Sequence, residues 1–272
     1  MAEDAERPRG FDPTVPNEAR LLDYLIGGKD NFAADREAAK EILRIAPEIP
    51  MMMREGRKFL ARGVRYILSE GIRQFVDIGC GLPTRGSTHQ ILAAAGMPEV
   101  PVVYVDNDPV VIAHSNALID PRDTVKAVLA DLRETDALLD HPTLTALVDL
   151  DRPVGVVMNA VLASIADDEI ATVSVKRLVD RLAPGSLVLM SHAISDTRPA
   201  VTGELARVFQ ETRAIEGQRP NVRTLAEVTC FLDGLDVVAP GIVPIPAWRP
   251  GRGEPSVDPE TFWAVGAVAR KP

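Results

Sequence analysis

Carboxylates and glycines follow two apolar runs of the sequence in an order suited to binding a nucleoside. The first run ends in VDIGCG, where Asp77 precedes Gly79 and Gly81. Glycines one residue apart allow a tight turn and let a ligand approach the backbone closely. The second run ends in YVD and places Asp106 about 25 residues after this turn, where a carboxylate can accept hydrogen bonds from both ribose hydroxyls. We therefore predict a ribose-binding site between these segments.

The residues that follow the second and third apolar runs extend this site. Asp108 and Pro109 fit the first positions of a helix, with Asp108 as the cap, whereas Asn107 is placed to meet the edge of a base. The third run ends in LAD. Its Asp131, with Leu132 beside it, is positioned to accept from an exocyclic amino group such as that of adenine. A solvated loop carboxylate is the alternative role for Asp131.

Three further positions are candidates for contact with the reacting part of the ligand. Asn159 and Ala160 end the fourth apolar run and are expected to border the reacting group. His192 ends the fifth run and is the best candidate for a general base, with a structural or substrate-contact role as the alternative. Cys80 lies inside the glycine turn and is expected to contact the ligand. The histidines and cysteines lack metal-ligand spacing, so no metal site is predicted.

A nicotinamide dinucleotide matches these residues less well than adenosine does. Its fingerprint requires a third glycine three residues after Gly81, and Thr84 stands there. The carboxylate of Asp77 at the same turn also disfavours a pyrophosphate, because like charges repel. Adenosine with an unmodified ribose is the better match.

The elements that position these residues alternate between strand and helix. Near-continuous apolar runs predict buried parallel strands at 73–78, 100–106, 125–131, 153–159 and 186–192. Helical patterns separate them at 87–95, 110–118, 134–148 and 169–182. The last two runs, 235–240 and 261–270, have no helix between them and predict an antiparallel pair at the sheet edge. This α/β architecture of five parallel strands plus an antiparallel edge pair resembles the Rossmann-like, seven-stranded sheet of class I methyltransferases.

The whole sequence also resembles one family. The resemblance rests on PNEARLLDYLIGGKDNFAADREAA, FVDIGCGLPTRG, VVYVDNDPVVIAHS, the LAPGS turn with the following MSHA, and GIVPIPAWRP. These segments are similar to an actinobacterial family of S-adenosylmethionine-dependent methyltransferases once catalogued as a domain of unknown function. The resemblance implies a class I methyltransferase fold, S-adenosyl-L-methionine as cofactor and an acceptor that is not established.

The sequence departs from the family pattern at three places. Cys80 stands where threonine is commoner, and Gly56 where asparagine is often found. Ala163 and Ser164 stand where a His–Phe pair usually follows AVL. If that histidine is a base in relatives, this chain lacks it.

Residues 17–70, within about the first quarter of the chain, are predicted to be a helical lid. Residues 1–16 are expected to form a flexible arm, 17–70 the lid and 71–272 the methyltransferase domain. The GG of GGKDNF would end a helix and turn the chain, which would present Lys29 and Asn31 to the cofactor. Arg57 on the third helix is expected to join them and pair with the cofactor's carboxylate. A solvated turn between packed helices is the alternative for GGKDNF.

Composition narrows the class of partner. The net charge of −9 and 4% aromatic residues make nucleic acid an unlikely partner. The start MAEDAERPRG lacks the features of a secretory signal, no apolar run approaches membrane-spanning length, and only two cysteines occur, so we expect a cytoplasmic protein. A homodimer paired through the N-terminal helices is possible.

Three functional hypotheses follow from these residues. The leading one is a methyltransferase that acts on a small-molecule acceptor by in-line transfer, which needs a catalytic base only if the nucleophile arrives protonated. A non-catalytic regulator that binds S-adenosylmethionine or a nucleoside is the second. A nicotinamide oxidoreductase is the third and fits least well, since its fingerprint is broken.

Overall fold

The computed structural model describes residues 12–83, 86–118, 124–211, 219–251 and 262–272. The predicted arm therefore lies largely outside the described residues. The helices are α1 Glu18–Leu25, α2 Ala33–Ile45, α3 Ile49–Ser69, α4 Thr88–Ala94, α5 Pro109–Leu118, α6 Thr135–Leu139, α7 Pro142–Leu147, α8 Asp168–Arg181, α9 Pro199–Glu211 and α10 Leu225–Cys230. The strands are β1 Phe75–Ile78, β2 Val102–Asp106, β3 Val125–Leu129, β4 Gly155–Asn159, β5 Leu187–Ala193, β6 Asp236–Val237, β7 Val243–Pro244 and β8 Ala264–Arg270.

These strands form one mixed sheet in the order β3-β2-β1-β4-β5-β8-β6, with β7 also paired to β8. The first five strands are parallel, and β8 runs antiparallel to β5, β6 and β7. This confirms the predicted five parallel strands and antiparallel edge. The two-residue β7 is additional and lies between the two predicted edge strands. The strand order reverses between β1 and β4, and such a reversal opens a crevice at the carboxyl ends of the strands.

The helical prediction for 134–148 is wrong in one respect. The chain forms two short helices there, because Pro142 has no backbone N–H to continue the first one. Pro142 instead begins α7, and the Nδ1 atom of His141 accepts from the backbone N–H of Thr143 at 3.2 Å. His141 therefore caps the second helix.

Helices cover both faces of the sheet, as its apolar strands predict. On one face α3 packs against β5 and β8. Phe59 of α3 lies so close to β8 that a Cβ at Gly266 would come within 2.6 Å of its ring. Side chains of α6, α7, α8 and α10 cover the other face. Helix α3 is therefore part of the sheet's core, although the predicted boundary at residue 70 assigns it to the N-terminal unit.

A buried carboxylate ties α1 to α2. Asp35 accepts hydrogen bonds from the backbone N–H groups of Asn17 at 2.9 Å and Phe32 at 2.8 Å, and from Nε of Arg20 at 2.9 Å. The side chains of Asp35 and Arg20 are almost completely buried. Asn17 itself caps α1 by accepting from the backbone N–H of Arg20. The path of the first two helices thus depends on one ion pair.

Replacing Asp35 by alanine is expected to lower the free energy of unfolding by about 3–5 kcal/mol, because the buried Arg20 would lose the carboxylate that its Nε contacts and the backbone N–H groups of Asn17 and Phe32 would lose their acceptor. Urea denaturation followed by circular dichroism measures the change. Glu37→Ala is the matched control, since Glu37 lies on the same helix and pairs with Lys40 on the surface. Equal losses in the two variants would contradict the assigned role of Asp35.

Candidate functional site

A cavity of about 370 Å³ opens at the carboxyl ends of β1 and β4, beneath α1, α3 and α9. It coincides with the reversal in strand order, where open α/β sheets bind their ligands. Most of its wall is apolar. The apolar side chains include Leu22, Leu25, Ile26, Ile49, Met52, Met53, Leu60, Leu205, Phe209, Ile245 and Trp263.

The glycine turn after β1 forms the floor of this cavity. Gly79 and Gly81 adopt φ of +68° and +64°, which glycine tolerates best. A Cβ at Gly79 would lie 2.2 Å from Cγ2 of Val161, whereas a Cβ at Gly81 would meet no atom of the described residues within 4 Å, its two chain neighbours aside. Gly81 therefore presents open backbone to a ligand. Cys80 also lines the cavity, and burial raises the pKa of its thiol.

Asp106 lies directly behind this turn. Its Oδ2 accepts from the backbone N–H of Gly81 at 2.9 Å, and its Oδ1 accepts from that of Asp108 at 3.0 Å. Sγ of Cys80 also donates to Oδ2 at 3.9 Å, so the lone pair that remains for a ligand is on Oδ1. Asp106 itself does not line the cavity. Burial raises the pKa of the carboxyl, although these backbone donors oppose the rise. Asp108 caps α5, as predicted, by accepting from the backbone N–H of Val110 at 2.7 Å.

The predicted base-binding residues Asn107 and Asp131 do not line the cavity. Asp131 accepts from Nη2 of Arg133 at 2.6 Å and from Nδ2 of Asn107 at 3.1 Å. Burial raises the pKa of Asp131, but these donors outweigh burial and hold it below its ordinary value. Leu132 is buried beside it. The structure thus pairs Asp131 with a neighbouring cation, which the sequence analysis did not anticipate.

A second carboxylate and a cation lie side by side in the cavity wall. Asp77 accepts from Oγ1 of Thr88 at 2.6 Å, and burial raises its pKa to about 6. The positive charge of Arg57 opposes that rise, and burial in turn lowers the pKa of Arg57. Within the described ranges, no hydrogen bond or ion pair joins Arg57 to another residue. Its guanidinium donors are therefore open to a ligand in the cavity.

Tyr104 and His89 complete this part of the wall and were missed as site residues. The Tyr104 hydroxyl accepts from the backbone N–H of His89 at 2.9 Å and lies 2.8 Å from its Nδ1. Burial raises the pKa of Tyr104. One feature of the sequence could have identified Tyr104 as a site residue. It is a tyrosine inside an otherwise aliphatic strand, two residues before Asp106.

Asn159 and Ala160 line the cavity at the end of β4. Oδ1 of Asn159 accepts from the hydroxyl of Ser191 at 2.7 Å. Ala160 adopts φ of +71°, a left-handed conformation that a non-glycine residue adopts at an energetic cost. This strained turn carries the chain across the mouth of the crevice.

His192 lines the cavity but has no free nitrogen. Its Nδ1 lies 2.5 Å from the carbonyl oxygen of Ala193, and its Nε2 lies 3.3 Å from Nη1 of Arg223. Because arginine only donates, Nε2 must accept and Nδ1 must carry the proton. Burial and the charge of Arg223 lower the pKa of His192 to about 4. This arrangement argues against His192 as the predicted general base. Its Nε2 lone pair already accepts from Arg223, and its Nδ1 proton already points to the carbonyl oxygen of Ala193.

The GGKDNF turn forms hydrogen bonds to Asp23 and does not line the cavity. Gly27 adopts φ of +84° after α1, as the predicted helix end requires. Oδ2 of Asp23 then accepts from the backbone N–H of Asp30 at 2.8 Å and from Nδ2 of Asn31 at 2.9 Å. Lys29 is exposed. Asp23 lines the cavity, but Lys29 and Asn31 do not, because the turn folds back onto its own helix.

Helix α1 touches the ends of two strands across the crevice. Nδ2 of Asn17 donates to Oδ2 of Asp108 at 2.5 Å, just after β2. The hydroxyl of Ser164, in the 3-10 turn after β4, donates to the carboxylate of Glu18 at 2.8 Å. The N-terminal helix is therefore attached on both sides of the ligand-binding cleft.

Similarity to known proteins agrees with this geometry. The family model described as "S-adenosyl methyltransferase" matches residues 4–272. The chain belongs to the S-adenosyl methyltransferase family. A solved protein of Streptomyces avermitilis from the DUF574 family is 37% identical, with a TM-score of 0.88 over 96% of this chain and 99% of that one. A Thermobifida fusca protein is 33% identical, with a TM-score of 0.88 over 98% and 99%.

More distant similarity concerns the fold alone. The plantazolicin methyltransferase BpumL, solved with S-adenosylhomocysteine, is 11% identical, with a TM-score of 0.52 over 94% of this chain and 95% of that one. No curated protein matches the chain. None of the described helices is long and apolar enough to cross a membrane.

The cofactor of this S-adenosyl methyltransferase family member is S-adenosylmethionine, and the residues present fit it. The backbone at Gly81 is open to a ligand, and Arg57, which pairs with no other described residue, is a cation suited to a carboxylate. Asp106, bonded to the N–H of Gly81, has a lone pair on Oδ1 available for a hydroxyl donor. In the described part of the chain, no cluster of side chains is suited to a metal ion.

His192 is expected to remain neutral from pH 8 down to pH 5, because its pKa lies at about 4. Titration of the imidazole C–H signals by NMR measures this, with His192→Gln to assign the resonance. An inflection between pH 6 and 7 would contradict the buried contact with Arg223 and restore the residue as a candidate base.

Proposed function

We propose that this protein transfers a methyl group from S-adenosylmethionine to a small-molecule acceptor bound in the same cavity. The observation that carries the proposal is the juxtaposition of the open Gly81 backbone and the unpaired Arg57 in one apolar-walled cavity. A cavity of about 370 Å³ falls within the usual range for small ligands.

Each cofactor group has a candidate partner. The two ribose hydroxyls would donate to Asp106, and the methionine carboxylate would meet Arg57. Asn107 and Asp131 would flank the adenine from the strand ends, once the Asp131–Arg133 pair adjusts. The bound cofactor supplies an electrophilic methyl group, which the turn at Ala160 would border. This chain's own residues would then bind and orient the two reactants and exclude water. Alignment of reactants alone lowers the barrier by up to about 7–11 kcal/mol.

The N-terminal helices would close the site. Helix α1 reaches both strand ends through Asn17 and Glu18, and its apolar face supplies part of the cavity wall. Opening of this segment would admit ligands, and closing would remove water. Lys29 and Asn31 would act on closure through the Asp23 turn instead of touching the cofactor. Pairing of two copies through these helices stays a prediction.

A non-catalytic binding protein is the alternative. The occupied nitrogens of His192 favour it, and so does Ala163 at the position where the family resemblance places a histidine. Incubation with methyl-labelled S-adenosylmethionine and an actinobacterial extract separates the two functions. Transfer of label supports the methyltransferase, and its persistent absence supports the regulator.

Calorimetric titration with S-adenosylmethionine, S-adenosylhomocysteine and NADH tests binding itself. Both sulfur ligands are expected to bind and NADH is not. Failure of S-adenosylmethionine to bind at millimolar concentration would contradict both the catalytic and the regulatory proposal.

Replacing Asp106 by alanine is expected to weaken binding of S-adenosylmethionine and S-adenosylhomocysteine by at least about tenfold, since charge-assisted hydrogen bonds contribute about 1.5–3 kcal/mol each. Calorimetry provides the affinities. Asp151→Ala is the control, because Asp151 is exposed in the turn before β4. An unchanged affinity for both ligands would show that the ribose lies elsewhere.

Replacing Arg57 by methionine is expected to weaken the binding of S-adenosylmethionine and S-adenosylhomocysteine about tenfold, because a charge-assisted contact to the amino acid carboxylate is lost. Affinity for 5′-methylthioadenosine should not change, because that nucleoside has no carboxylate. Arg54→Met, on an exposed position of the same helix, is the control. Parallel losses for all three ligands would mean that Arg57 shapes the cavity and does not bind the carboxylate.

A further inference from the structure

Glu18 is a carboxylate of the cavity wall that the binding scheme leaves unassigned. It begins α1, lines the cavity, and accepts from the hydroxyl of Ser164 at 2.8 Å to Oε2 and 3.0 Å to Oε1. The serine has one proton to donate, so the carboxylate retains lone pairs for a second donor. Ser164 ends the short turn that begins after Asn159 and Ala160, the residues expected to border the transferred methyl group.

The charges around Glu18 keep it easy to protonate. Among the described residues it has no ion pair, since Arg20 of the same helix is turned to Asp35. Asp106, at the end of β2, faces it with a like charge, and Asn17 next to it is engaged with Asp108. Burial, with a smaller contribution from Asp106, raises the pKa of Glu18 to about 7. A proton acceptor works best when its pKa lies near the working pH.

The other acidic and imidazole groups of the described cavity wall are already engaged. Asp23 holds the turn after α1, and Asp77 accepts from Thr88 next to Arg57. His89 is bonded to Tyr104, and His192 is held by Arg223. Glu18 is the remaining carboxylate of this wall that carries both an open lone pair and a position beside the β4 turn.

We propose that Glu18 is a catalytic residue that accepts the proton lost by the methyl acceptor. This inference rests on the proposed methyltransferase function. A lone pair on the acceptor's oxygen or nitrogen forms the bond to the methyl carbon, and the electron pair of the old bond stays on sulfur. The acceptor's proton passes to a carboxylate oxygen of Glu18. The acceptor class is therefore a hydroxyl or N–H compound that binds in its protonated form.

A base in this position must lie close to the sulfonium charge of the cofactor. Binding of S-adenosylmethionine should therefore lower the pKa of Glu18 and expel its proton, whereas the uncharged sulfur of S-adenosylhomocysteine should not. With a pKa of about 7, the expected release at pH 7 is about half a proton per site for S-adenosylmethionine. Calorimetric titration in two buffers of different ionisation enthalpy measures that release without any acceptor.

Glu18→Gln is the decisive variant, because glutamine keeps the bond from Ser164 but cannot be ionised. The variant should bind both ligands and lose the proton release. Subtracting the release measured with the variant from that of the wild type removes the contribution of the cofactor's own amino group. Glu37→Gln, the same change at an exposed position, should release protons as the wild type does.

Three results would overturn the inference while leaving the proposed function intact. Equal Glu18-dependent release with the two ligands would place Glu18 beside the adenosine they share, as a cofactor-binding group. Equal proton release by the wild type and Glu18→Gln would show that the sulfonium charge does not change the protonation of Glu18. Loss of binding in Glu18→Gln alone would likewise make Glu18 a cofactor-binding group and overturn the inference. Failure of the wild type to bind S-adenosylmethionine would instead contradict the proposed function, and this inference with it.

Discussion

The site depends on one hydrogen bond, from the backbone N–H of Gly81 to the carboxylate of Asp106. It joins the ends of β1 and β2, next to the reversal in strand order between β1 and β4. Positive φ at Gly79 and Gly81 is what brings that N–H within reach, and Val161 leaves no space for a side chain at Gly79. The turn, the carboxylate and the open backbone above them are therefore fixed by the sheet before any ligand arrives.

Electrostatics prepare the cavity for a cationic cofactor. Burial raises the pKa values of Asp77, Asp106 and Glu18, to about 6 for Asp77 and about 7 for Glu18. Because these folded-state values exceed the unfolded ones, the contribution of Asp77 and Glu18 to stability is present at low pH and is lost as pH rises towards 6 and 7. Under the proposed function, binding of the positively charged S-adenosylmethionine in this cavity would offset that loss.

Sequence patterns identified the elements and the strand ends well. Apolar runs predicted the parallel strands, and Asp108 caps the helix that it was expected to cap, because caps and strand burial are local properties. The side-chain partners could not be read in the same way. Arg223 reaches His192 from a loop 31 residues away in the chain, and the engagement of its Nε2 changes what the histidine can do.

The N-terminal segment shows the same limit. The double glycine was correctly expected to turn the chain, but the sequence does not state which neighbour the turn folds onto. Asp23 accepts hydrogen bonds from a backbone N–H and a side-chain amide of that turn, and Lys29 is exposed. Glu18 was not a candidate at all, since its importance follows from Ser164 and Asp106, which are distant in sequence and meet it only in the fold.

The most direct measurement is a crystal structure of the protein with S-adenosylhomocysteine bound. The account predicts ribose hydroxyls within hydrogen-bond distance of the Asp106 carboxylate and the amino acid carboxylate on Arg57, with α1 closed over both. A ligand whose ribose lies away from Asp106, or one bound outside this cavity, would contradict it.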